Sequence, residues 1–257
     1  MPRGNRYYIP GLIWHITHRC HKKEFLLKFA RDRRRWLRWL YEAKKRFGLR
    51  ILNYTVTSNH IHLLIQDTGH RETLPKSLQL IAGRTAQEYN IRKNRKGAFW
   101  EDRYHATAVQ GGDRLIRCLV YIDLNMVRAG AVEHPSEWAF CGYNEIQAPP
   151  QRYTLIDRKL LTTLLGIDNT EKFSKTYKGW VEAVLKRGNN VREDKWTQSI
   201  AVGGKEFVEM VKDRLGYKVI GRKISGTKTD FELKENMLPY RASFTGKMSS
   251  LRPKNDM

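Results

Sequence analysis

Alternation and helical periodicity divide the first half of the chain into a regular succession of strands and helices. The bulky, β-prone run Leu12-Ile13-Trp14-His15-Ile16-Thr17 predicts a first strand. Across residues 29–47 the apolar positions Trp36, Leu37, Trp39, Leu40, Ala43 and Phe47 recur at helical spacing, and Gly48 stands where a left-handed C-cap ends such a helix. Two strands follow, 51–57 and 60–66, joined by the tight reversal Ser58-Asn59, which predicts an antiparallel hairpin. Thr73 is placed to cap a helix over 74–89 that carries Leu78, Ile81, Ala82 and Ala86 on one side, and 99–109 reads as another strand. Asp113 is placed to cap a further helix, with Leu115, Ile116, Leu119, Val120, Ile122 and Leu124 at its buried positions and Gly130 as its stop. The order β-α-β-β-α-β-α predicts an α+β fold, an antiparallel sheet with helices on one side.

Pro149-Pro150 marks a boundary in this pattern. Short amphipathic helices are expected over 155–165 and 173–186, and a third over 205–215 behind Gly203-Gly204. From Gly216 onward basic residues, Gly, Ser and Thr dominate, which predicts an irregular tail. The expected organisation is therefore a main domain over 1–148, a small and mainly helical extension over 149–216, and a basic tail over 217–257.

Charge changes the picture most. Against 26 acidic residues stand 48 Lys and Arg, a formal net charge of +22, and a field of that size attracts polyanions, nucleic acid first among them. The helix over 29–47 concentrates it: Arg31, Arg33, Arg34, Arg35, Arg38, Lys44, Lys45 and Arg46 read as a phosphate-tracking surface in preference to a merely solvated face. No apolar run is long enough to span a bilayer and residues 1–10 lack the apolar core of a signal peptide, so a cytoplasmic location is expected. Cys20, Cys118 and Cys141 are odd in number and widely separated, which excludes a disulfide framework and a four-Cys zinc site. His15, His18, Cys20 and His21 crowd one stretch, but in no familiar zinc spacing.

Two constellations carry possible chemistry. Successive strand side chains point to opposite faces, so His60 and His62 share a face and can converge on a metal ion; alone they are equally an ordinary surface pair. Tyr121 and Asn125, four apart on a helix, place a phenol beside an amide oxygen, a pairing that also arises by chance. Together, nitrogen from His and oxygen from Asn suit a divalent ion with positions left open for phosphate.

Order and spacing make these motifs specific. Asn59-His60-Ile61-His62-Leu63-Leu64 resembles the His-hydrophobe-His strand of the single-tyrosine HUH transposases, and Tyr121-Ile122-Asp123-Leu124-Asn125-Met126-Val127-Arg128-Ala129-Gly130 resembles their nucleophile helix. Between them, Gly97-Ala98-Phe99-Trp100-Glu101-Asp102-Arg103-Tyr104-His105 is similar to the Trp-x-x-Arg-aromatic-His segment of the branch associated with repetitive extragenic palindromes (REP). The resemblance spans roughly residues 6–143 and departs at Met126, where many relatives have Pro.

The resemblance implies a ferredoxin-like catalytic domain over 1–148, with Mg²⁺ or Mn²⁺ held by His60, His62 and Asn125, and Tyr121 as nucleophile. The implied substrate is single-stranded or hairpin DNA, cleaved and rejoined through a tyrosine–phosphate ester at the 5′ phosphate, with no nucleotide cofactor and no membrane. Of the 12 tyrosines, Tyr104, Tyr54 and Tyr143 are the competitors, but Tyr121 combines the helix with Asn125. Arg33, Arg34, Arg38, Lys45, Trp100, Arg103 and His105 are the candidate DNA contacts, Trp100 equally as a core anchor and Arg103 and His105 equally as strand surface. A free tyrosine has a pKa of about 10, so its activation requires a device the sequence leaves unidentified. The rival readings are a non-catalytic DNA- or RNA-binding regulator on the same fold, and a zinc hydrolase, for which no His-Glu-x-x-His helix is present. A monomer is expected in preference to a dimer.

Overall fold

The computed structural model describes residues 7–234 other than 168, 189 and 190. Its first elements are β1 (Ile13–Arg19), α1 (Ala30–Phe47), β2 (Arg50–Val56), β3 (His60–Gln66), α2 (Thr73–Arg92), β4 (His105–Val109), α3 (Asp113–Asp123) and α4 (Asn125–Arg128). The predicted order β-α-β-β-α-β-α is met. These four strands lie in the order β2-β3-β1-β4, every neighbour antiparallel, which is the ferredoxin-like arrangement.

Register assigns the two faces. Thr17 pairs with both His62 and His105, His15 with Leu64 and Thr107, and His62 with Thr55, so His15, Thr17, His62, Thr55, Thr107 and His105 share one face. The other face is apolar and buried, with Trp14, Ile16, Ile61, Leu63 and Ile65. It is covered by α1 and α2, which pack on each other through buried Trp36, Leu40, Ala43, Leu74, Leu78 and Ile81. The expectation that all helices lie on one side is corrected here: α3 lies on the polar face. The Asn53 amide donates to the Leu119 carbonyl (3.2 Å) and to Asp123 (3.0 Å), and the Thr55 hydroxyl to the Ile122 carbonyl (3.0 Å). Buried polar groups persist only when so paired.

Local chemistry adjusts several boundaries. Gly48 takes the left-handed conformation (φ 68°) that ends α1, as expected. Thr73 and Asp113 are not caps but the first residues of their helices, behind Glu72 and Gly112. Only 105–109 of the predicted strand 99–109 is a strand; Trp100 makes a lone bridge to Cys20. The helix carrying Tyr121 and Asn125 is interrupted at Leu124. The Arg128 guanidinium donates to the Tyr121 carbonyl (2.6 Å), occupying the acceptor that an unbroken helix would offer to Asn125.

Beyond β4's domain the chain continues through α5 (Gly142–Gln147), α6 (Arg158–Leu165), α7 (Thr170–Lys186), α8 (Lys195–Gln198), β5 (Ser199–Gly203), α9 (Lys205–Leu215), β6 (Ile224–Gly226) and β7 (Phe231–Lys234). The three expected helices are present. The three strands were not expected: β5 joins β4 in parallel, β7 joins β5 and β6 joins β7, completing a seven-stranded sheet. The irregular tail expected from 217 is corrected over 217–234, where buried Leu233 anchors a hairpin; residues 235–257 of that tail lie outside the described residues. Glu145 ties the segments across Pro149-Pro150, accepting from the Leu155 and Ile156 amides (2.7 Å each) and from the Tyr54 hydroxyl (3.1 Å). Tyr177 on α7 donates to Asp123 on α3 at 2.5 Å.

Gly142, at the start of α5, lies against this network. A Cβ there would fall 2.0 Å from Asn53 Oδ1 and 3.0 Å from Ile156, and Asn53 is buried and held by α3. Gly142→Ala is expected to destabilise the protein by about 1–3 kcal/mol, the usual cost of overpacking, as read by urea denaturation; wild-type stability would refute the rigidity assigned to Asn53.

Candidate active site

A line of hydrogen bonds runs under α3. The Trp196 carbonyl faces His15 Nδ1 at 2.8 Å, His15 Nε2 faces His62 Nδ1 at 2.9 Å, and His62 Nε2 faces the Asn125 amide nitrogen at 2.9 Å. Burial lowers the His15 pKa to about 3 and holds His62 well below the usual imidazole range, with His60 and His15 adding to the effect on His62. His60 is lowered to about 4, by burial first and then by Arg19 and Arg192. Its Nδ1 faces Asn59 Oδ1 (2.7 Å) and Thr57 Oγ1 (3.0 Å), so the Ser58-Asn59 turn fixes the ring. A carbonyl-type oxygen only accepts, so His60 Nδ1 carries the proton and Nε2 keeps its lone pair. The centroids of the His60 and His62 rings are 5.0 Å apart.

Tyr121 stands edge-on to this pair, its ring centroid 6.0 Å from that of His62 and 6.3 Å from that of His15. The Arg128 guanidinium lies over the phenol at 4.0 Å. Burial raises the Tyr121 pKa, and Arg128, followed by Arg192, opposes that rise. His60, His62, Tyr121 and Asn125 open onto one cavity of about 660 Å³, lined also by Arg19, Arg103, Arg128, Arg192, Glu101, Asp102, His105 and Thr197. Four guanidinium groups against two carboxylates make its wall attractive to phosphate.

The sequence-derived candidates divide accordingly. His60, His62, Tyr121, Asn125, Arg103 and His105 meet at the cavity. Trp100 lies at its margin, stacked on His18 (4.1 Å) and donating its indole N–H to the Ala82 carbonyl (3.0 Å), the anchor reading of that residue. Arg34, Arg38 and Lys45 are exposed on α1, across the sheet from the cavity. Arg33 is a correction: it is buried, donates to the Leu27 (3.0 Å) and Lys28 (2.8 Å) carbonyls, and lies 4.6 Å from both the Trp138 and Phe140 rings, so its charge is spent inside the fold. His15, His18, Cys20 and His21 do not gather around a point. Among the described residues no three His, Cys, Asp or Glu side chains form a group able to hold a metal ion, and the further polar side chain against His62 on the cavity side is the Asn125 amide.

The sequence marks His15 only within an unfamiliar zinc spacing and gives Arg128, Arg19, Arg192, Thr197 and Trp196 no role. Two of these carried a signal: His15 is polar in an otherwise apolar strand core, and Arg128 lies two helical turns after Tyr121. The contributions of residues 192–197 arise from long-range packing and left none.

Residues 9–125 match the family model described as "Transposase IS200 like", a span that holds β1 through Asn125. This segment is similar to that family, the one its motifs resemble. Among solved structures, the chain is similar to one described as a REP-associated tyrosine transposase bound to a REP hairpin (19% identity, TM-score 0.47, covering 56% of this chain and 84% of that one). It is also similar to a putative transposase from Deinococcus radiodurans (18% identity, TM-score 0.33, covering 42% and 86%). No curated protein matches. Among the described residues no helix is long and apolar enough to cross a membrane.

Two outcomes follow from burial. Between pH 6.5 and about 3 the unfolded chain binds a proton that folded His15 refuses, so this residue makes stability fall with acidification. His15→Leu is expected to flatten that fall by up to about 1.4 kcal/mol per pH unit in urea denaturation across the window; an unchanged slope would contradict the assigned burial. Arg33→Ala is expected to cost about 2 kcal/mol, through lost charge-assisted hydrogen bonds. Arg34→Ala and Arg38→Ala should stay within about 0.5 kcal/mol of wild type.

Proposed function

We propose that this chain is a metal-dependent transposase that cleaves and rejoins single-stranded DNA by transesterification, with Tyr121 as nucleophile. What supports the reading is the convergence of Tyr121, His60, His62 and Asn125 on one cavity, within and beside a segment that matches the IS200-like transposase model. The donor set fits Mg²⁺ or Mn²⁺: two neutral imidazoles with unprotonated Nε2 atoms, and a carboxamide that can present oxygen by rotating about its last bond. When bound, the ion supplies a Lewis acid that neutralises and orients the scissile phosphate. A ligand set without net charge leaves the ion's full charge for that phosphate.

The chain's own residues do the rest. Arg19, Arg103, Arg128 and Arg192 draw the DNA backbone into the cavity and fix the phosphate. The Tyr121 oxygen forms a bond to phosphorus, the bond to the departing 3′ oxygen breaks, and the phenolic proton leaves to solvent or to that oxygen. Arg128 over the ring stabilises the phenolate character that develops during attack. The 5′ phosphate remains esterified to Tyr121, so a 3′ hydroxyl can later attack it and restore a phosphodiester without ATP. Resemblance to the REP-associated branch favours hairpin or palindromic DNA as substrate. Phenol, imidazoles and amide all come from one chain, which supports action as a monomer.

Wild-type protein incubated with Mn²⁺ and a labelled hairpin-containing single strand is expected to give an adduct that survives denaturing electrophoresis. Chelation or Tyr121→Phe should abolish the adduct while Tyr121→Phe retains hairpin binding in a mobility-shift assay. Arg128→Ala should slow adduct formation about 100-fold, the scale of losing one charge-stabilising donor. Reversible binding with no adduct would indicate a regulator on the same fold, and an adduct mapping to Tyr104 would overturn the nucleophile.

A further inference from the structure

The geometry points to His15 as a positioning residue that sets the tautomer of His62, so that the backbone carbonyl of Trp196 in the C-terminal extension governs whether His62 Nε2 is open to a metal ion. The inference rests on the reading of His62 as a ligand, and it assigns His15 and the 196 carbonyl a role in the site.

A carbonyl has no proton to give, so the 2.8 Å contact between Trp196 O and His15 Nδ1 requires the proton on Nδ1. His15 is fully buried, with a carbonyl and an imidazole as its hydrogen-bond partners and no carboxylate among them, so the ring stays neutral and its Nε2 holds a lone pair. At 2.9 Å from that lone pair, His62 Nδ1 must be the donor. A neutral imidazole has one N–H, so His62 Nε2 is left unprotonated, facing the Asn125 amide at 2.9 Å and the cavity beyond. In water a neutral histidine favours the opposite form, with the proton on Nε2, which blocks ligation through that atom. The rings of His15 and His62 are also nearly coplanar, 15° apart with centroids at 5.1 Å, the edge-to-edge arrangement that an in-plane N–H···N bond requires. A partner that fixes a ligating histidine's far nitrogen typically strengthens metal binding about 10–100-fold.

The carbonyl is itself held in place. Trp196 is fully buried, its indole N–H donates to Glu193 (3.3 Å), and neighbouring Lys195 bonds to Asp230 (3.2 Å) at the entry to β7. The extension thus reaches the proposed ion through two hydrogen bonds.

The test combines a spectroscopic and a binding measurement on the full chain. In metal-free, ¹⁵N-histidine-labelled protein at neutral pH, long-range ¹H–¹⁵N correlation is expected to show His62 as the Nδ1–H tautomer; an Nε2–H form would overturn the proposal. Mn²⁺ titration should give about 10–100-fold weaker binding for His15→Leu, and recovery to within about three-fold for His15→Gln, whose amide oxygen can accept from His62. Undiminished affinity in His15→Leu would also overturn it. Should wild-type protein bind no Mn²⁺, the ligand reading fails, while the tautomer measurement still decides the relay; it decides it equally if His15→Leu does not fold.

Discussion

A sheet face bearing Asn53, Thr55, His15, His62 and Thr107 can be buried only if each of those groups finds a partner, and the rest of the structure follows from that requirement. Helix α3 answers part of it with its own carbonyls and with Asp123. Residues 196–199 answer the remainder: the Ser199 carbonyl accepts from the Thr107 hydroxyl at 2.6 Å, beside the contact of the Trp196 carbonyl with His15. An apolar face would have been easier to cover, but would have left no row of imidazoles aimed at one point. The cost of burying unpaired polar atoms therefore fixes both helix and extension over the sheet.

The same requirement accounts for the chemistry of the site. Histidines packed in this way stay neutral at physiological pH, since burial and nearby cations both oppose a further positive charge. Neutral imidazoles keep their lone pairs, and the guanidinium groups around them supply the positive charge of the cavity wall. Tyr121 occupies the junction of the two environments, its ring edge-on to His62 and its face against Arg128. The break between α3 and α4 belongs to this arrangement, because the arginine that lies over the phenol also takes the Tyr121 carbonyl.

Most of the ferredoxin-like half was legible in the sequence because its elements are long enough to carry a period. The helix over 30–47, the hairpin around Ser58-Asn59 and the inward pairing of His60 with His62 follow from local rules alone. Pairing on the sheet does not. Strand β5 is a five-residue run between two short helices, with no alternation to mark it, and its place beside β4 depends on parallel contacts between residues far apart in sequence. Arg33 failed for a different reason: a run of basic residues looks uniform in sequence, while one position in such a helix faces the core and is neutralised there by carbonyls. Of the site, the side chains proposed as ligands and nucleophile were readable as motifs, whereas His15 became meaningful only once the fold placed it beside His62.

The parallel docking of β5 on β4 has a consequence for how copies of this chain meet. A four-stranded sheet ends in two rows of unsatisfied amides and carbonyls, each a template on which a second molecule could add a strand. Here β5 occupies one row and passes the edge to β6, only three residues long, while bridges from Ile156 to Ile51 and from Cys141 to Thr55 interrupt the other along β2. Edge-to-edge polymerisation is thereby blocked at both margins, and self-association through this sheet is disfavoured by its own backbone.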